Sequence, residues 1–223
     1  MDQAYSFDFS WFAEYFPRFI YGALLTLKLM TFAAAASFVI GLIAGQMRMT
    51  TSLFIRIPAA AYIDFFRTTP LLVQIVFIFF FLPLFFGIRT DAFTAGVIAL
   101  SLNYGAFFAE IFRAGVGSLD RGQSEAALAI GMTPLQSLRR VIYPQAIRRM
   151  MPPIGSMFVS LLKDTSLLTI LGVSELMNTA QNVGALTFRN IEVLFLVAMI
   201  YFILTYPIAL SASWLHKRSS NLA

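Results

Sequence analysis

Long apolar runs, recurring from one end of the chain to the other, constrain the fold more than any other feature. Stretches such as YGALLTLKLMTFAAAASFVIGLIAG and LFLVAMIYFILTYPIALSA are long enough to cross a hydrocarbon core of roughly 30 Å. Inside such a core every backbone N–H and C=O must be satisfied internally, which leaves helices or closed barrels. The short alternating segments of a barrel are absent. An all-α integral membrane protein follows. Only 12% of residues are charged, about half the share in a soluble domain.

The runs place five spans, at approximately 19–45, 57–88, 92–115, 152–172 and 191–215, in a single transmembrane domain over residues 1–223. The leader before the first run carries Asp2, Asp8 and Glu14 against Arg18, whereas a cleaved signal needs a basic n-region. The first run is therefore read as a true span.

Arginine and lysine set the orientation. Arg18, Arg89 and Arg189 fall on one side. Arg48, Arg56, Arg113, Arg121, Arg139, Arg140, Arg148, Arg149, Lys217 and Arg218 fall on the other. The richer side is expected to be cytoplasmic, which puts the N-terminus outside and the C-terminus inside. An odd number of spans agrees. The net charge of +5 is thus a matter of topology, with no basic stripe on a soluble face of the kind that binds nucleic acid. The single histidine, His216, sits beside Lys217 and Arg218 and reads as an exposed residue at the end of the last span.

Polar side chains within spans are costly and point to function. Lys163 and Asp164 lie about 15 Å beyond Pro153 along a helix, near the bilayer midplane. Neighbours on a helix point about 100° apart, so each needs its own partner. Alternatively, Lys163 snorkels and Asp164 caps a broken turn with Thr165 and Ser166. Asn103 and Gln74 fall at similar depth in two other spans. Together with Lys163, Asp164 and Thr165 they make a candidate site for a polar substrate, with interhelical hydrogen bonding as the plainer role for Asn103 and Gln74. Lys28 is expected to snorkel to the outer interface. The pairs Asp64/Arg67 and Glu110/Arg113 are each spaced to pair on one helix face. Pro70 should kink the second span at Thr69.

Between the third and fourth spans lies a polar segment, residues 119–151. Residues from Gly122 to Ile130 can form a short helix that Gly131 stops in a left-handed turn. Thr133 then offers an N-cap, Pro134 an N1 residue and Gln136 the partner of a capping box. Leu135, Leu138, Val141 and Ile142 share one face, and Pro144 is expected to interrupt the helix. Such a pair of short helices could rest on anionic lipid or carry force from a cytoplasmic protein into the spans.

These residues resemble the integral-membrane subunits of ABC importers, and specifically the permeases for polar amino acids. The family motif, Glu-Ala-Ala, three residues, Gly, nine residues and Ile-x-Leu-Pro, stands here as Glu125-Ala126-Ala127, Gly131 and Val141-Ile142-Tyr143-Pro144. FRTTPLLVQ, with Thr68 where glycine is usual, and LLKDTSLLTILGVSEL resemble two stretches of the amino-acid branch. The resemblance implies that Glu125, Ala126, Ala127, Gly131, Pro134 and Pro144 belong to an element coupled to a dimer of ATP-binding subunits. It also implies a second permease subunit, identical or related, an extracytoplasmic substrate-binding protein, and residence in a bacterial inner membrane. ATP and magnesium are expected in the partner ATPase: no Gly-Lys dipeptide occurs, so this chain has no P-loop. It has no cysteine and no recognisable catalytic set, so no enzyme activity or cofactor is expected of it. An ion-coupled secondary transporter is the other reading, but it gives the central segment no task, and the inverted repeats common in such proteins are not evident.

Overall fold

The computed structural model describes residues 6–220, apart from the side chains of residue 121 and of residues 214–220. The expectations for Asp2, Arg121, His216, Lys217 and Arg218 lie outside the described residues. The helices are α1 (Phe12–Met49), α2 (Leu53–Thr68), α3 (Leu71–Phe86), α4 (Ala92–Gly117), α5 (Arg121–Ala129), α6 (Pro134–Ser137), α7 (Tyr143–Asp164), α8 (Leu176–Thr187) and α9 (Asn190–Ser220). A π-helical turn, Leu138–Ile142, joins α6 to α7, and a 3₁₀ segment, Thr165–Leu171, extends α7. Among the described residues four stretches are long and apolar enough to cross a bilayer: α1, α4, the run Pro134–Leu171 and the part Asn190–Ser213 of α9. The α2–α3 pair makes a fifth by length and composition.

Helix α1 packs along α4 through small residues. A Cβ on Gly41 would come within 2.7 Å of the Phe108 Cβ and 2.8 Å of the Gly105 carbonyl oxygen. Gly45, four residues on, meets Ala109 and Phe112 in the same way. Small residues spaced by four let two backbones approach where the bilayer supplies no hydrophobic drive for helix association. The central core joins α1, α3, α4 and α7 through Leu29, Ile75, Leu100, Phe108, Leu161 and Leu168. A second cluster, with Trp11, Phe19, Leu176, Val183 and Val193, packs α8 and the start of α9 on the N-terminal end of α1. Here the chain before α1 is clamped. Arg189 reaches Asp8 at 3.5 Å and Glu192 at 3.6 Å, and donates to the Ser6 carbonyl at 3.0 Å. The Ser10 N–H, donating to Asp8, holds that carboxyl below the usual range.

Three expectations are revised. The second span is two helices whose axes differ by 113°, a break where a kink was expected. Pro70 has no N–H and forces extended backbone at Thr69 (ψ 145°), so the helix cannot pass through. The helix that carries the fourth span begins earlier, at Tyr143, because Pro144 does not interrupt it. The π-helical turn places the Tyr143 N–H on the Leu138 carbonyl, and Pro144 follows inside the first turn of α7, where a missing N–H costs little. Asp64 and Arg67 do not pair with each other: Asp64 meets Arg48 at 3.7 Å and Arg67 meets Glu110 at 3.9 Å. Glu110 does pair with Arg113. The Lys28 ammonium lies 5.2 Å from the centre of the Phe93 ring, a cation–π contact. Helix α8 was not expected. It is capped by Glu175, which accepts from the N–H groups of Met177 and Asn178 at 2.9 and 2.7 Å and from the Tyr201 hydroxyl at 3.0 Å.

Candidate functional site: a polar cavity and a surface elbow

The break at Thr69-Pro70 strands carbonyls at the end of α2, and in a bilayer these must find donors. Gln74 and Asn103 supply them. The Gln74 amide donates to the carbonyls of Phe66 (3.0 Å) and Thr69 (3.1 Å) and to the Thr69 hydroxyl (2.7 Å). The Asn103 amide donates to the Phe66 carbonyl at 2.9 Å and to the Gln74 side-chain oxygen at 3.0 Å. The Tyr62 hydroxyl adds a bond to the Leu102 carbonyl at 2.6 Å. The broken helix is therefore pinned to α4 by side-chain amides.

Beyond Asn103, α4 and α7 face each other across a cavity of about 400 Å³. Asn103, Tyr104 and Phe107 line it from α4, and Ser156, Ser160 and Asp164 from α7. The Tyr104 hydroxyl donates to an Asp164 carboxylate oxygen at 2.6 Å. On one side Phe107 carries the Arg67 guanidinium 5.6 Å from its ring centre. The cavity thus offers one carboxylate, the hydroxyls of Tyr104, Ser156 and Ser160, and an amide against apolar walls. Such a set can hold an ammonium group at Asp164 and take hydrogen bonds elsewhere.

Of the expected site residues, Asp164 and Asn103 line this cavity. Gln74 stands behind Asn103 and holds it. Thr165 is fully buried and donates to the Leu162 carbonyl at 2.7 Å. Lys163 is exposed and does not line the cavity, since one residue of helix turns it away from Asp164. Asp164 makes no capping bond to the 3₁₀ segment. Tyr104, Phe107, Ser156 and Ser160 were not anticipated. Their signal was present in the helical spacing, since Pro153, Ser156, Ser160 and Asp164 repeat at three and four residues along one face of α7.

The polar segment folds as an elbow. Helix α5 is capped by Asp120, which accepts from the Gly122 N–H at 2.8 Å, and ends at Gly131, whose φ is +86°. The restart is the expected capping box: the Gln136 N–H donates to the Thr133 hydroxyl at 3.3 Å, and the Thr133 N–H to the Gln136 side chain at 2.9 Å. Pro134 occupies the first turn. Glu125, Ala126 and Pro144 are exposed, while Ala127 is buried. Leu128, Ile130 and Leu135 stand exposed around the bend, Ile130 by 75%. At its far end the elbow runs unbroken into α7, and Arg149 of α7 donates to the Ser118 carbonyl at the end of α4. The elbow thus follows directly on α4 at one end and is continuous with α7 at the other.

A bundle of helices long and apolar enough to cross a membrane, with a polar cavity between two of them, has the build of a membrane permease. More narrowly, residues 37–221 match the family described as "Binding-protein-dependent transport system inner membrane component", and the chain belongs to that family. The glutamine transport system permease protein GlnP of Escherichia coli K12 is 39% identical over 97% of this chain and 99% of its own length. The arginine transport system permease protein ArtQ of Bacillus subtilis is 34% identical over 88% and 90%. A crystal structure of an amino acid ABC transporter with histidines aligns with a TM-score of 0.89 at 38% identity, covering 96% of this chain and 100% of that one. The chain is accordingly a permease subunit of an ABC importer and not an enzyme. It works with a separate ATP-binding subunit and a substrate-binding protein.

Proposed function

We propose that this permease carries a polar amino acid inward across the bacterial inner membrane by alternating access, with the α4–α7 cavity as its site at membrane depth. The observation that carries this reading is the Asp164 carboxylate, which faces a 400 Å³ cavity and is held there by the Tyr104 hydroxyl. An α-amino or cationic group is the natural partner for such a carboxylate, and the Ser156 and Ser160 hydroxyls and the Asn103 amide suit the polar remainder. Two permease subunits, identical or related, would pair with an ATPase dimer that binds ATP and magnesium, and an extracytoplasmic protein would deliver the amino acid. The elbow bearing Glu125, Ala126, Ala127, Gly131 and Pro134 is the docking element for the ATPase, with its exposed Leu128, Ile130 and Leu135 as the apolar anchors of that contact. Pro144, at the root of α7, fixes the joint between elbow and span. The arginine-rich side faces the cytoplasm, which places the elbow on the ATPase side. The glutamine and arginine named for the relatives mark the range of cargo expected.

The test is reconstitution of the permease with its ATPase and binding protein in liposomes, with uptake and ATP hydrolysis measured for each amino acid in turn. One or a few polar amino acids should stimulate both activities. If none did so, with the complex intact, the amino-acid assignment would fall.

A further inference from the structure

Helices α1, α4 and α7 enclose a second cavity that the transport reading leaves without a role. It measures about 380 Å³ and is almost wholly apolar, with Leu42 of α1, Phe108 and Phe112 of α4, and Tyr143, Met150 and Ile154 of α7 among its walls. Phe108, Phe112 and Met150 are buried and form its floor. Its rim residues Phe38 and Ile147 are 46% and 51% exposed, so the cavity opens sideways between α1 and α7. From Tyr143 to Ile154 it runs about 16 Å along α7 at 1.5 Å per residue, the depth of one leaflet of a roughly 30 Å core. That length and the apolar lining suit one leaflet of a bilayer.

Its ends differ. Arg139 and Arg140 stand one turn before Tyr143, at the arginine-rich end, and both are exposed. Neither is among the ion pairs of the described residues. Guanidinium groups bind phosphate by paired N–H donors, and juxtamembrane arginines attract anionic lipid. An apolar cleft whose α7 wall begins one turn after two exposed arginines matches one occupant in both chemistry and length.

We infer that the cleft seats an acyl chain of an anionic glycerophospholipid from the arginine-rich leaflet, with its headgroup phosphate over Arg139 and Arg140. The lipid would then sit at the π-helical joint through which the elbow connects to α7. A zwitterionic lipid can fill the same cleft but answers the two positive charges less well.

Native mass spectrometry of the permease–ATPase complex, titrated with phosphatidylglycerol or phosphatidylcholine of identical chains, tests this. The complex should retain phosphatidylglycerol at least fivefold more. The double variant R139Q/R140Q should erase that preference, and L42W, which fills the cleft, should lower retention of both lipids. Equal retention of the two lipids by the wild type would overturn the inference. So would a preference that survives R139Q/R140Q, or full phosphatidylglycerol retention in L42W, which would leave the lipid on the arginines alone. Should L42W fail to assemble, dihexanoyl phosphatidylglycerol asks the same question of the wild type. It should be retained at least fivefold less than the dioleoyl lipid, and equal retention would count against the cleft. The chain lacks cysteine, so I147C places a single thiol in it at the rim. Ready disulfide formation between two copies in membranes would show protein over the cleft and likewise overturn the inference.

Discussion

The Tyr104 hydroxyl lies 2.6 Å from an Asp164 carboxylate oxygen, and this bond ties α4 to α7 across the cavity between them. Tyr104 is 4% exposed, so its ring is fixed by packing and its hydroxyl has a defined direction. The carboxylate keeps lone pairs free beyond that bond and faces the cavity. A pair of this kind fixes the direction of the carboxylate within the cavity.

Asp164→Asn keeps the bond to Tyr104 possible but removes the charge. Uptake and substrate-stimulated ATP hydrolysis should fall at least tenfold, about 1.4 kcal/mol or more, while the complex still assembles. Tyr104→Phe leaves the charge and removes one hydrogen bond, about 1 kcal/mol, so the loss should be nearer fivefold and appear mainly as a raised KM. Uptake kinetics on both variants decide the matter: unchanged values for Asp164→Asn remove Asp164 from the site.

The elbow separates strain from bulk. At Gly131 a Cβ would meet nothing within 4 Å, so Gly131→Ala tests only the φ of +86°, a cost of about 1–2 kcal/mol for an L-residue. Gly131→Leu adds a side chain to the bend. Coupling should survive largely in the alanine variant and be lost in the leucine variant, with the membrane helices intact in both by circular dichroism. Wild-type ATPase association and substrate-stimulated hydrolysis in Gly131→Leu would contradict the docking role.

Gln74 is the third case, and here stability should change more than transport selectivity. Gln74→Leu deprives the Phe66 and Thr69 carbonyls and the Asn103 amide of a partner. Bonds of this kind in bilayers are worth about 0.6 kcal/mol on average and up to about 1.7, and four meet at Gln74 beside the break. A fall in thermal stability is expected in detergent, with the order of preference among amino acids kept. A changed preference at unchanged stability would instead make Gln74 a substrate contact.

Local rules were legible in the sequence wherever one short stretch decides the outcome. The capping box of Thr133 and Gln136, the stop at Gly131 and the Glu110–Arg113 pair each depend on residues within four positions of one another. What depended on distant segments was not. Pro70 announces a disturbance, but the 113° turn is held in part by Asn103, far along the chain, which pairs with Gln74 and the Phe66 carbonyl. Asp64 and Arg67 can pair by spacing, yet Arg48 and Glu110 from other helices take them. Depth alone grouped Lys163 with Asp164, whereas the direction around the helix separates them. Pro144 reads as a break until the π-helical turn before it is known.

The packing of α1 on α4 yields the last prediction. Gly41 lies inside α1 and Gly117 is the last residue of α4; propensity favours alanine over glycine by about 1 kcal/mol in a helix interior and by less at a helix end. Their surroundings differ. A Cβ at Gly41 would sit 2.7 Å from Phe108 and 2.8 Å from the Gly105 carbonyl, and at Gly117 nothing lies within 4 Å. The Gly105 carbonyl is backbone and cannot swing aside, so α1 must lift off α4 to admit even a methyl. Gly41→Ala should therefore destabilise by roughly 1–3 kcal/mol, as overpacked cores do, and Gly41→Leu should abolish recovery of folded protein. Gly117→Ala should be neutral or slightly stabilising. Fluorescence-detected size exclusion after graded heating compares the three. Equal midpoints for Gly41→Ala and Gly117→Ala would mean that α1 is not held against α4 at this distance in the membrane.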